Sequence, residues 1–344
     1  MRVLVTGLST YWGGRVAQAL EQRPDVDVVV GLDTRDPRVP LERTEFVRAD
    51  SSYSILNRIV WATQVDTIVH THLIVDSTRA SGRTLHEINV IGTMSLLAAA
   101  GAAESPVRKL VLKSSGLVYG AAAADPYFFR EDVARSSSAR TPVERSLLEV
   151  ESFVRDFSED SPHVNVSLLR FANVLGDDLD TPFSQALRQI VVPEIFGFDP
   201  RVQFVHADDV VEALMYATTN EIPGVYNVGG DGNLPWSEVC AIVGKRRVAL
   251  APFLTNLAAE PLRRLHVLDL PPETLQLLRY GRSIDNSRYK RAGFRYRYTT
   301  AGTVEAFAQG ERLAATIGDK HPTYTYEPDV EDFFRHSPAV VRFD

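Results

Sequence analysis

The chain has 344 residues, 44% hydrophobic and 24% charged, with a formal net charge of −7. That balance gives a globular protein enough core for one large domain or two unequal ones. It argues against non-specific nucleic-acid binding; no stretch is long and apolar enough to span a bilayer, and a lone cysteine, Cys240, excludes an internal disulfide.

The first segment, Arg2–Arg15, reads RVLVTGLSTYWGGR. Val3, Leu4 and Val5 predict a short buried strand that runs straight from the start, so no signal peptide is expected and a cytoplasmic location follows by default. Gly7 opens a turn, and from Gly13 the spacing of Val16, Ala19 and Leu20 predicts a helix. Strand, glycine turn and helix make a phosphate cradle, because amides at a helix start face outward and the dipole favours an anion. The glycine fingerprint is interrupted: Gly7, Thr10 and Gly13 hold its three positions, and Thr10 brings a side chain where the backbone should approach a pyrophosphate. Its hydroxyl is a candidate phosphate donor, with Tyr11 and Trp12 beside it. Val26–Leu32 predicts a second strand ending in Asp33, which suits an adenosine ribose.

Further along, Phe46-Val47 reads as a strand ending at Asp50, Ile55–Ala62 as a helix and Asp66–His70 as a strand. Leu85–Ala103 reads as a long helix, Lys109–Lys113 as a strand, Val143–Phe157 as a helix and Val164–Leu169 as a strand. This alternation predicts an α/β fold, a doubly wound Rossmann-type parallel sheet with ligands at the carboxyl ends of its strands. Past Arg170 the pattern loosens into the strand Val202–Val205, the helix His206–Ala217, the strand Val225–Val228 and the irregular pieces Pro193–Pro200 and Ala251–Arg279. The expected division is a dinucleotide-binding domain over 1–170, to which 202–230 returns. A smaller, mostly helical substrate-binding region covers 171–201 and 231–316, and a C-terminal arm covers 317–344. Cys240 falls in an apolar helical pattern and reads as a core residue.

These motifs together resemble the extended short-chain dehydrogenase/reductase family, of the sugar-nucleotide epimerase and dehydratase type, over residues 1 to about 310. The resemblance rests on Asp50 with Ser51, on His70-Thr71-His72 at the fourth strand, and on Asn89-Val-Ile-Gly-Thr. It also rests on Ser114-Ser115-Gly-Leu-Val-Tyr-Gly120, Arg170-Phe-Ala-Asn-Val-Leu-Gly, Phe204-Val-His-Ala-Asp-Asp and Tyr226-Asn-Val-Gly. It implies NAD as cofactor, with NADP the weaker alternative because Asp33 repels a 2′-phosphate while Arg35 stands nearby. Gly7, Thr10, Tyr11, Trp12, Gly13, Asp33, Asp50, Ser51, His70, Thr71, His72, Asn89, Lys113 and Ser114 are the expected cofactor residues. Ser115, Tyr119, Asn173 and Arg282 are the expected contacts to a small-molecule substrate such as a nucleotide sugar. The resemblance also implies a homodimer through helices 85–103 and 143–157. No nucleic-acid partner is expected from the net charge, no membrane from the hydropathy, and no metal because His70 and His72 have no evident third ligand.

One departure stands out. The family's catalytic Tyr and the Lys four residues later align, through Pro142, with Val143 and Leu147, and no tyrosine occurs between Tyr127 and Tyr216. Ser115 keeps the third catalytic position, with His72 and Tyr119 as candidate substitutes for the lost proton donor. Glu144 and Arg145 read as a solvated or dimer-contact pair. The sequence therefore leaves open an NAD-dependent enzyme with an unusual proton donor, a catalytically silent NAD(P)- or metabolite-binding sensor or partner subunit, and a scaffold without cofactor.

Overall fold

The computed structural model describes residues 1–252, 270–317 and 330–341. Its centre is a seven-stranded sheet, parallel throughout. In chain order its members are β1 (Arg2–Thr6), β2 (Val28–Asp33), β3 (Thr44–Arg48), β4 (Thr67–His70) and β5 (Lys109–Ser115). The short pair member β6 (Phe128–Phe129) lies outside the sheet, which continues with β7 (Asn165–Phe171). The fragments β8 (Asn173–Leu175), β9 (Val191–Ile195), β10 (Arg201–Val202) and β11 (Phe204–His206) also lie outside, and β12 (Gly224–Val228) completes the sheet. The spatial order is β3-β2-β1-β4-β5-β7-β12. Chain direction across the sheet reverses between β1 and β4, which opens a crevice at the carboxyl ends of those strands.

Central strands of such a sheet are buried on both faces, so they read as continuous apolar runs rather than alternating ones. Leu4 of β1 sits between Val30 of β2 and Ile68 of β4, and all three are fully buried. One face is covered by α1 (Tyr11–Glu21) and by a later helix, Ala207–Thr219, whose Val210, Ala213 and Leu214 join Val16, Ala17 and Leu20 in one apolar cluster. The other face is covered by α2 (Tyr53–Thr63), by the helical segment 82–100 and by the long helix Pro142–Asp160.

The helix expected at Leu85–Ala103 starts at Gly82, ends at Ala100 and is underwound into a π stretch at His86–Ile91. Asn89 lies in that stretch. Its side chain grips the backbone of Ile74 in both directions, at 2.8 and 2.9 Å, and donates to Ser146 Oγ at 3.0 Å. The strand expected at Val202–Val205 is broken at Gln203, whose side chain turns to the backbone of Gly230 and Ile284. Within Ala251–Arg279, residues 253–269 lie outside the described residues and Pro272–Tyr280 is a helix. Of the C-terminal arm, the described part packs on the β3 side of the domain. Phe333 is buried, Val341 N–H donates to Ala62 O and Arg2 donates to Ala339 O. Among the described residues no helix is long and apolar enough to cross a membrane.

Candidate functional site

The turn after β1 is held by backbone geometry. Gly7 has φ +77°, and a Cβ there would lie 2.8 Å from His72 Cβ; a Cβ on Gly13 would lie 2.1 Å from Gly7 O. Both positions therefore demand glycine. Thr10 does not aim its hydroxyl outward as a phosphate donor. It is the N-cap of α1: Oγ1 accepts from Gly13 N–H at 3.0 Å and donates to Gly7 O at 2.7 Å. Tyr11 and Trp12 occupy the first two helical positions, whose amides have no intrahelical partner. Their side chains line a cavity of about 1200 Å³ that runs along the carboxyl ends of the strands.

Asp33 closes β2 at one end of that cavity. One carboxylate oxygen accepts from Ser9 N–H at 2.9 Å and the other from Thr34 N–H at 2.7 Å and Arg35 N–H at 3.2 Å. The backbone thus fixes the carboxylate, and the oxygen that accepts from Ser9 keeps accepting capacity for a ligand. Asp50, Ser51, Thr71 and His72 line the same space. Burial pushes the His72 imidazole below its usual pKa, Asp33 opposes this and Arg35 adds to it, so the ring is neutral at neutral pH.

His70 corrects the expectation of a cofactor contact. It is fully buried, with Thr6 Oγ1 2.6 Å from Nδ1 and Thr93 Oγ1 3.1 Å from Nε2. Thr93 gives its own hydrogen to Asn89 O at 2.6 Å, so it must accept from Nε2–H, and Nδ1 then accepts from Thr6. Asn89, likewise expected at the cofactor, is committed to Ile74 and Ser146 and does not reach the cavity.

At the end of β5, alternation sends Ser114 to one side and Lys113 and Ser115 to the other. Ser114 Oγ donates to Glu151 at 2.6 Å. Ser115 Oγ accepts from Leu117 N–H at 3.2 Å, which leaves its hydrogen free for a ligand. The Lys113 ammonium lies 5.0 Å from the Trp12 ring centre and 5.5 Å from that of Phe171, with burial pushing its pKa down to about 8. Tyr119 is removed as a proton donor to the cavity. It is buried against Phe129, donates to Asn227 Oδ1 at 2.8 Å and accepts from Arg170 at 2.7 Å. Val143 and Leu147 are both fully buried on the long helix and line no part of the cavity. Glu144 is not solvated: it is buried and pairs with Arg135 at 2.8 Å.

The second half of the chain supplies the far end of the cavity. Asn173 lines it, with Nδ2 donating to Gln203 O at 3.0 Å. Arg282, expected as a substrate contact, does not line the cavity. It is buried behind the turn after β5 and donates to Gly120 O at 3.2 Å. Sequence reasoning missed Glu273, buried in the cavity wall, which accepts from Ser77 N–H at 2.9 Å and Ser77 Oγ at 3.0 Å across 196 residues. It also missed Asp178, which meets Tyr11 and pairs with Arg15 at 2.7 Å, tying the loop after β8 to α1. No local motif marks either contact; they exist only through the fold.

The family model of the NAD dependent epimerase/dehydratase family matches residues 3–229. An uncharacterised protein of Mycobacterium tuberculosis is 34% identical over 336 residues, covering 94% of this chain and 88% of that protein. Among solved structures, MoeE5 in complex with UDP-glucuronic acid and NAD superposes with a TM-score of 0.71 at 20% identity, covering 91% of this chain and all of that one. The UDP-glucose 4-epimerase of Thermotoga maritima with UDP-glucose gives 0.70 at 18% identity, covering 92% and 100%. At these identities the two structures support the fold. The family match spans well over half of the chain, from β1 to the end of β12: the protein belongs to the NAD dependent epimerase/dehydratase family.

Proposed function

We propose that the cavity binds NAD and a nucleotide sugar, and that the chain lacks the family's usual proton relay. The residues fit the dinucleotide. The Gly7–Gly13 turn leaves the backbone bare where a Cβ would clash, and the Asp33 carboxylate is held toward the cavity at the end of β2. Asp33 favours a free 2′-hydroxyl over a 2′-phosphate. When bound, NAD supplies a nicotinamide carbon that takes or returns a hydride. MoeE5, of the same fold, carries both NAD and UDP-glucuronic acid.

The observation that carries the missing relay is the burial of two apolar side chains, Val143 and Leu147, in the first two turns of the long helix. Neither can exchange a proton. Ser115 remains to orient a substrate oxygen. The division of labour follows the notion of a binding domain over 1–170 with 202–230, and a substrate-binding region over 171–201 and 231–316. Pairing with a second copy through the two helices suits their exposed Ile91, Met94 and Leu148.

The test is turnover. With NAD and UDP-glucose, the unaltered protein is expected to show no epimerisation; because positions 143 and 147 are buried away from the cavity, Val143→Tyr with Leu147→Lys is not expected to create it. Robust epimerisation by the unaltered chain would contradict the silent-site reading.

A further inference from the structure

Lys113 is 4% exposed, and no hydrogen-bond acceptor or carboxylate partner is found for its ammonium among the described residues. A buried cation without a counter-charge is costly. Its surroundings show where the compensation comes from. The amine faces the cavity beside the ring of Trp12, which is the second residue of α1, and beside Phe171 of β7. It is therefore a positive charge set against a first-turn side chain of an 11-residue helix, whose amide end favours an anion. That helix end is also short of one donor, since the Thr10 hydroxyl has taken Gly13 N–H.

We infer that Lys113 is the counter-charge for the diphosphate of the dinucleotide, replacing polarity that the turn loses through Thr10. The inference rests on the NAD-binding reading above. Two aromatic faces and the strand hold the ammonium in place before the ligand arrives, so little ordering is needed on binding. The other titratable groups at this part of the cavity are already committed. Asp33 is held by backbone amides, Asp178 by Arg15 and Tyr11, the Tyr11 phenol is kept protonated by burial, and His72 is neutral. Lys113 is thus the group that changes charge in mildly alkaline solution, and it is protonated when a diphosphate is present.

The experiment is calorimetric titration of NAD, with UDP as the second diphosphate, into the unaltered protein, Lys113→Met and Lys113→Arg, each checked for fold by circular dichroism. Lys113→Met is expected to weaken NAD about 10- to 100-fold, the range for a charge-assisted contact, and to leave UDP unchanged. NAD binding to the unaltered protein should weaken as pH rises through about 8, with proton uptake on binding near that pH. In Lys113→Arg the affinity should stay level, because a guanidinium does not titrate there. Equal NAD affinity in the unaltered protein and Lys113→Met would overturn the inference while leaving the NAD-binding reading intact. Loss of UDP rather than NAD would assign the charge to the substrate side and overturn it too. No NAD binding by any of the three would overturn both readings.

Discussion

Lowering the pH from about 6.5 to about 3 is expected to remove roughly 5 kcal/mol of stability through His70 alone. Burial holds the imidazole's pKa down to about 3, and the neighbouring His72 adds to this. The unfolded chain returns it to about 6.5, so between these values the unfolded state binds the extra proton and acid favours unfolding. The hydrogen-bond chain explains why the ring resists charge. Thr6 donates to Nδ1 and Nε2–H donates to Thr93, which is itself committed to Asn89 O. A proton on Nδ1 would confront the Thr6 hydroxyl's hydrogen with a second one. Urea unfolding of the unaltered protein and of His70→Gln across this range checks the claim. The variant is expected to show a flatter acid limb relative to its own neutral value, and parallel limbs would contradict the assignment.

Glu151→Ala is expected to cost about 3–5 kcal/mol, the range for removing one partner of a buried ion pair. Glu151 accepts from Arg170 Nε at 2.9 Å and Nη2 at 2.6 Å, and from Ser114 Oγ at 2.6 Å. Arg170 goes on to donate to Tyr119, and Tyr119 to Asn227 of β12. The network therefore fastens the long helix to β5, β7 and β12. Without the carboxylate, a guanidinium stays buried with no opposing charge. Glu151→Gln, which keeps the shape and an acceptor for Ser114, should cost less. Chemical denaturation of both variants tests this, and equal small losses would mean that solvent reaches the pair.

The sheet was legible because its strands are buried on both faces and read as apolar runs between turn signals, as in β1, β4 and β5. The Gly7 turn and Asp33 at the end of β2 were legible from spacing, and Ser115 from the family resemblance. Side-chain commitments were not. Tyr119 and Arg282 stand in the expected place along the chain, yet each is turned inward by partners far away, Asn227 and Gly120. Thr10 shows the same limit at short range. Its hydroxyl was readable as a phosphate donor, while the structure uses it to cap α1. Glu273 reaches the cavity from a helix that carries no motif, through a contact that only the closed fold creates.

The most direct test of this account is calorimetric titration of NAD into the purified, unaltered protein at neutral pH, with NADP alongside. Saturable binding in the micromolar range, about −8 kcal/mol, and weaker binding of NADP are the predicted results. No heat of binding up to about millimolar NAD, near −4 kcal/mol, would contradict it and leave a family fold without the family's cofactor.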